Sequence, residues 1–202
     1  MRGLLAKLDM KTFITLLLSL STAFAAEPAD VIVVAATPAG VAAAVAAAKS
    51  GAKVIVLEEH AHVGGILAGG LSNIDNVNTE VIGGLFNEFK RRVVAHYTTA
   101  YGEQSPQVKD CRNGTDFEPK VAEQVFGEML AGEKNIALRL RHRLRGVLKD
   151  GPRLTAIVME NLARPGEVTE FHARTFIDCT YEGDLAALAG VPYRVGREAR
   201  GE

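Results

Sequence analysis

The chain has 202 residues, 48% of them apolar, with 20 Gly, 7 Pro, 2 Cys, no Trp and a formal net charge of −1. That apolar share excludes a disordered or collagen-like chain, and 23 Lys and Arg against 24 Asp and Glu leave no broad basic surface for nucleic acid. Two cysteines are too few for a disulfide scaffold or a four-thiolate metal site, and the length suits one domain or one with part of another.

The amino-terminal stretch carries Arg2, Lys7 and Lys11, then an apolar run from Phe13 to Leu20, then Ala23-Phe24-Ala25 as a small-x-small cleavage pattern. This order reads as a secretory signal peptide over residues 1–25. The run is too short to span a bilayer comfortably, so the expectation is an exported protein, periplasmic or extracellular, without stable membrane insertion after cleavage. An uncleaved anchor or a buried helix is the alternative.

An alternating α/β pattern follows. Val31-Ile32-Val33-Val34 is a continuous β-branched run, as a strand buried on both faces requires. Ala35-Ala36-Thr37-Pro38-Ala39-Gly40 leads into an alanine-dense helix reaching about Ser50, with Thr37 as its cap, Pro38 in its first turn and Gly51 ending it. Val54 to Leu57 is a second buried strand closing on Glu58. The crossover makes the two strands parallel neighbours. In a dinucleotide-binding turn, glycines let the backbone approach a pyrophosphate at the helix N-terminus, and an acid ending the second strand binds a ribose hydroxyl. Glu58 stands 23 positions after Ala35, near the usual interval of about 20. The turn is degenerate, because Ala35 and Thr37 stand where the first two glycines are expected and only Gly40 is kept. On these residues alone an ordinary strand-helix-strand unit, with Glu58 a solvated strand end, stays open.

His62-Val63-Gly64-Gly65-Ile66-Leu67-Ala68-Gly69-Gly70-Leu71 sets glycine pairs among apolar residues, a loop whose N–H groups can approach a planar or anionic ligand without Cβ obstruction. Ile82, Leu85, Phe86, Phe89, Val93 and Tyr97 recur at helical spacing, as do Phe117, Val121, Val125 and Met129 in a second segment that Asp116 can cap. Thr98 to Gly114, with Cys111 inside it, reads as a polar surface loop. Leucine and arginine alternate from Leu138 to Arg145, which places the leucines on one strand face and the arginines on a solvated one, against a nucleic-acid reading. Asp150-Gly151 marks a hairpin between Gly146–Lys149 and Leu154–Glu160, Val168 to His172 is another short strand, and Thr175 to Asp178 is a further one. No CxxC pair and no recognised ligand spacing around His60 and His62 is present, so neither a metal nor a catalytic acid, base or thiol is assigned.

Five segments together resemble the FAD-dependent oxidoreductases, flavoproteins with a glutathione-reductase-like FAD domain: DVIVVAATPAGVAAAVAAA, KVIVLEEHAHVGGILAGGLSN, IGGLFNEF, FEPKVAEQVF and FIDCTYEGDLAALAGVPYRVGREA. The resemblance runs from Asp30 to the end of the chain. It implies a Rossmann-like α/β fold over 26–202, a parallel sheet with crossover helices and an inserted antiparallel β-meander, truncated before a substrate domain is complete. It implies FAD as cofactor, with a small-molecule substrate and an electron acceptor as partners. Carried over by position, Ala35, Ala36, Thr37, Pro38, Ala39 and Gly40 hold the pyrophosphate, and Glu58 with Glu59 the adenosine ribose. Gly64, Gly65 and Ile66 meet the phosphate-flavin edge, Leu144 offers a main-chain contact to adenine, and Asp178, Cys179 and Thr180 the ribityl end. Cys179 stands where alanine is usual, and a small buried residue is its expected role. A non-catalytic fragment or pseudo-enzyme retaining the nucleotide-binding fold, or an NAD-dependent dehydrogenase, is the alternative function.

Overall fold

The computed structural model describes residues 28–196 apart from 77, 79 and 80. The signal-peptide reading lies outside the described residues. The parallel strands form where apolar runs were expected: β1 over Ala29–Val34 and β2 over Val54–Leu57, joined by helix α1 over Pro38–Lys49. Thr37 accepts the Gly40 N–H through its hydroxyl and Pro38 occupies the first turn, so the helix start is chemically specified. β1 and β2 pair in parallel from Val31 opposite Val54 to Val34 opposite Leu57.

Further elements are α2 (Gly65–Gly69), α3 (Leu85–Tyr101), α4 (Pro106–Asp110), a short 3-10 turn (Arg112–Gly114), α5 (Pro119–Ala131), β3 (Ile136–Arg139), β4 (His142–Asp150), β5 (Arg153–Asn161), β6 (Val168–Asp178) and α6 (Asp184–Leu188). They build one sheet in the order β3-β2-β1-β6-β5-β4. Val33, Val54 and Val56 face α1, α3 and α5 through Val41, Val45, Val93, Val121 and Phe126, while Ile32, Val34, Ile55 and Leu57 form a second core with Ile157, Met159 and Phe171. Strands buried on both faces are what their unbroken apolar runs require.

Four sequence expectations are corrected. Leu138 to Arg145 is not one strand: β3 stops at Arg139, Arg141 takes a left-handed φ of 58°, and β4 starts at His142. The alternating pattern continues across this turn, so periodicity alone hides it. Conversely, Val168–His172 and Thr175–Asp178 are parts of one strand, β6, whose first half pairs antiparallel with β5 and whose second half pairs parallel with β1. Thr98–Gly114 is not a surface loop, because α3 runs on to Tyr101, Ser105 caps α4 by accepting the Val108 N–H, and Cys111 is buried with its thiol donating to the Val108 carbonyl. Asp116 does not cap α5; the helix begins at Pro119, with Glu118 preceding it and making no side-chain cap.

The break at Leu140-Arg141 shapes the molecule. β3 and β4 are the opposite ends of the strand order, yet only two residues separate them, a span of at most about 10 Å. The sheet therefore curls until its edges meet, and the junction is tied by His142 N–H donating to the Glu58 carbonyl at 2.8 Å. This brings the meander over the carboxyl ends of β1 and β2.

One glycine marks a place where the fold is less than optimal. Gly127 lies inside α5 with nothing within 4 Å of an added Cβ. Gly127→Ala is expected to stabilise the protein by about 1 kcal/mol, since glycine carries the larger backbone entropy in a helix. A chemical denaturation midpoint measures it.

Candidate functional site

At the end of β1 the chain must turn sharply into α1. Ala35 makes this turn with φ 75°, a left-handed conformation that costs an L-residue with a Cβ about 1–2 kcal/mol. It is held there by its N–H donating to the Leu57 carbonyl at 2.8 Å. The position where the glycine pattern is broken thus has the backbone conformation that glycine serves. Ala35→Gly is expected to raise stability by about 0.5–1 kcal/mol, the left-handed strain relieved less the glycine entropy cost, and to tighten flavin binding by easing the turn. Thermal unfolding and a flavin titration of both forms measure the two effects.

Gly40 has a stricter role. A Cβ there would lie 1.9 Å from the Ala35 carbonyl oxygen and 3.3 Å from the Cys179 Cβ. Thr37, in the second glycine position, donates from its hydroxyl to the Cys179 carbonyl at 2.9 Å while accepting from Gly40 N–H at 3.2 Å. One side chain thereby caps α1 and fastens it to the end of β6.

Glu58 is not a solvated strand end. It is 5% exposed, and its Oε2 accepts the Ala36 N–H at 2.7 Å. Its Oε1 lies 2.7 Å from both His60 N and His60 Nδ1. The acid that closes β2 thus reaches back to the turn that closes β1. Glu59 pairs with Arg143 at 2.8 Å, and Arg145 pairs with Glu160, so two of the arginines in this segment are engaged by acids.

The glycine loop after β2 also accommodates the protein's own rings. An added Cβ at Gly64, whose φ is 97°, would meet Phe126 at 2.6 Å, and one at Gly65 would clash with the Tyr181 hydroxyl oxygen. The absent side chains make room first for the protein's own rings. Gly64 N–H donates to the Ala36 carbonyl at 2.7 Å and Ile66 N–H to the Tyr181 hydroxyl at 2.7 Å, so the loop is bound both to the turn and to the segment after β6.

That segment is a hydrogen-bonded hinge. Asp178 Oδ1 accepts from Thr180 N–H and from its hydroxyl at 3.0 and 2.7 Å, Oδ2 accepts from Ala186 N–H at 2.8 Å, and Thr180 Oγ1 accepts the Asp184 N–H at 2.8 Å. Asp178 therefore spends one oxygen on Thr180 and the other on the first turn of α6. Cys179 N–H donates to the Val34 carbonyl at 2.9 Å, and burial together with the neighbouring Asp178 carboxylate pushes its thiol pKa up. The thiolate is the reactive form, so Cys179 is expected to resist iodoacetamide at neutral pH, and Cys111 resists it because burial denies the reagent access. Mass spectrometry of the folded protein against urea-unfolded controls reads the modification.

These pieces line one open cleft of about 1040 Å³. Of the expected site residues, Ala35, Thr37, Glu58, Glu59, Gly65, Ile66, Leu144 and Thr180 face it. Ala36, Pro38, Ala39, Gly40, Gly64, Asp178 and Cys179 support it from behind and do not line it. His60, His142, Met159 and Tyr181 line it without having been singled out as cofactor-binding. His142 and Met159 arrive through the curl of the sheet, which leaves no local motif. Tyr181 had a signal, since it directly follows Asp178-Cys179-Thr180.

The sequence matches the profile of the FAD dependent oxidoreductase family over residues 30–202. The chain belongs to this family. Its cofactor is accordingly FAD. No curated protein matches the chain. Among solved structures it is similar to THI4 of Thermovibrio ammonificans, at 17% identity and TM-score 0.53, covering 91% of this chain and 69% of that one. It is similar to the glycerol-3-phosphate dehydrogenase of Bacillus halodurans complexed with FAD, at 11% identity and TM-score 0.52, covering 81% of this chain and 36% of that one. It is also similar to the OxyS anhydrotetracycline hydroxylase of Streptomyces rimosus, at 15% identity and TM-score 0.53, covering 81% and 34%. The chain thus spans about a third of the last two relatives. These likenesses establish the shared Rossmann-like fold.

The residues present fit a dinucleotide. α1 presents its amino-terminal end at the cleft, where its partial positive charge favours a pyrophosphate, and Gly40 allows the close strand-to-helix turn that puts it there. The cleft's apolar wall from Leu57, Leu144 and Met159 suits a flat ring system.

Proposed function

We propose that this chain supplies the FAD-binding part of an exported oxidoreductase acting on a small-molecule substrate, with a separate electron acceptor. The observation that carries the site assignment is the convergence of Ala35, Glu58, Gly65 and Thr180, from four separate segments, on one cleft beside the start of α1. FAD, when bound, supplies a two-electron acceptor for the substrate.

In this reading the protein binds and orients. The turn from Ala35 to Gly40 holds the pyrophosphate through the helix end, and Glu58, which lines the cleft, receives the adenosine ribose while keeping its bonds to Ala36 and His60, since a carboxylate oxygen accepts more than one hydrogen bond. Glu59, fixed by Arg143, borders the same end. Leu144 offers its main chain to adenine at the start of the meander. Gly65 and Ile66 border the phosphates opposite α1. Thr180 faces the ribityl chain, and Asp178 positions it through the bonds described above. Cys179 packs as a small residue behind them.

Export follows from the basic, apolar and small-residue order of residues 1–25. Among the described residues no helix is long and apolar enough to cross a membrane. Purified chain titrated with FAD should gain a perturbed flavin spectrum and quenched flavin fluorescence. A colourless protein that leaves added FAD unchanged overturns the assignment. Competition by NAD for the same site, at comparable affinity, would favour the dehydrogenase reading instead.

A further inference from the structure

Tyr181 lines the cofactor cleft and is 60% exposed, yet its hydroxyl is held in place by accepting the Ile66 N–H at 2.7 Å. Gly65 makes this approach possible. A Cβ there would clash with the hydroxyl oxygen and would stand 3.4 Å from the Cδ of Pro38, the first residue of α1. The hydroxyl, the glycine loop and the start of α1 therefore meet at one point. That end of α1 carries the partial positive charge that favours a pyrophosphate.

Few side chains of the cleft can meet such a group. Among the described residues that line it, Arg143 is the one lysine or arginine, and it is paired with Glu59. The pyrophosphate has to be met by other donors. Hydroxyls are carried there by Thr37, Thr180 and Tyr181. Thr37 donates its proton to the Cys179 carbonyl, and Thr180 donates its proton to Asp178 Oδ1. Tyr181 only accepts, and among the described residues none takes its proton. A phenol can accept and donate at once, so this proton is left for a partner in the cleft.

We propose that Tyr181 is a cofactor-binding residue that donates its hydroxyl proton to the FAD pyrophosphate, a role that rests on the FAD site proposed above. The Ile66 N–H, which the phenol occupies, then reaches the cofactor through the hydroxyl. Accepting that bond orients the phenol and polarises its O–H, which strengthens the bond it donates. A hydrogen bond onto an ionised acceptor is stronger than one between neutral groups, so a single hydroxyl counts here. The glycine loop and the segment after β6 thus act on the phosphates as one unit, with Gly65 giving the space and Tyr181 the donor.

Tyr181→Phe keeps the ring and removes only the hydroxyl. Fluorescence titration of the full chain with FAD is expected to show binding about tenfold weaker in the variant, the scale of one hydrogen bond to a charged group. Phosphorus NMR at saturating FAD reads the contact itself, and the pyrophosphate resonances of bound FAD should differ between the two proteins. Equal or tighter binding by Tyr181→Phe overturns the proposal, and tighter binding would mark Tyr181 as a latch that FAD displaces. Weaker binding with unmoved resonances overturns it as well, since the hydroxyl would then act only by holding the loop at Ile66. An unaltered chain that binds no FAD removes the site and this role with it, whereas an unaltered chain and a variant that bind FAD equally well remove the Tyr181 contact alone.

Discussion

Gly40→Ala is expected to destabilise the protein by about 3 kcal/mol or more and to abolish FAD binding at micromolar concentrations. The added Cβ would stand 1.9 Å from the Ala35 carbonyl oxygen, a backbone atom and not the tip of a flexible side chain. Ala35 cannot swing away, because its own N–H is tied to Leu57 and its φ of 75° already lies at the limit of what alanine tolerates. Moving α1 outward instead would pull Thr37 from the Cys179 carbonyl and open the join between the helix and β6. Each route breaks a part of the cleft, so stability and binding fall together. Urea denaturation and flavin fluorescence titration report the two. A variant with a wild-type midpoint would show that the turn is looser than its geometry implies, and Ala35→Gly in the Gly40→Ala background should restore little, because the clash is with the carbonyl and not with the Ala35 side chain.

The same turn shows what could be read from the residues and what could not. Strands β1 and β2, the cap at Thr37 and the acid at Glu58 are legible because each is a local rule: unbroken β-branched runs, a hydroxyl before proline, an acid ending a strand. The alanine in place of glycine at position 35 reads as damage to a motif, whereas the backbone keeps the motif's geometry and carries the strain. The glycines at 64 and 65 are legible as a loop, but their packing against Phe126 and Tyr181 is not, since those rings are distant in sequence and only packing sets them against those positions. The curl of the sheet is the least legible feature. It depends on two residues, Leu140 and Arg141, in the middle of a leucine-arginine alternation whose period gives no sign of a turn.

Glu58→Gln is expected to cost about 2 kcal/mol of stability and to weaken FAD binding by tenfold or more, although it changes only one oxygen for an amide. A carboxylate offers two acceptor oxygens, and here both are used by protein donors: Ala36 N–H on one, His60 N–H on the other. A glutamine side chain has one acceptor and one donor, so in either orientation its NH2 group faces a backbone N–H. Rotation out of the way is blocked by burial, since Glu58 is 5% exposed. The result is an unsatisfied buried amide at the turn or at the loop after β2, and both border the cleft. Glu58→Asp tests the same logic by keeping the charge and both acceptors on a shorter stem. It should retain more stability than Glu58→Gln if acceptor count governs, and less if reach governs. Denaturation midpoints of the two variants, with FAD affinities measured in parallel, separate a carboxylate required for folding the turn from one required for holding the ribose: a stability loss that matches the affinity loss points to the former, and an affinity loss that exceeds it points to the latter.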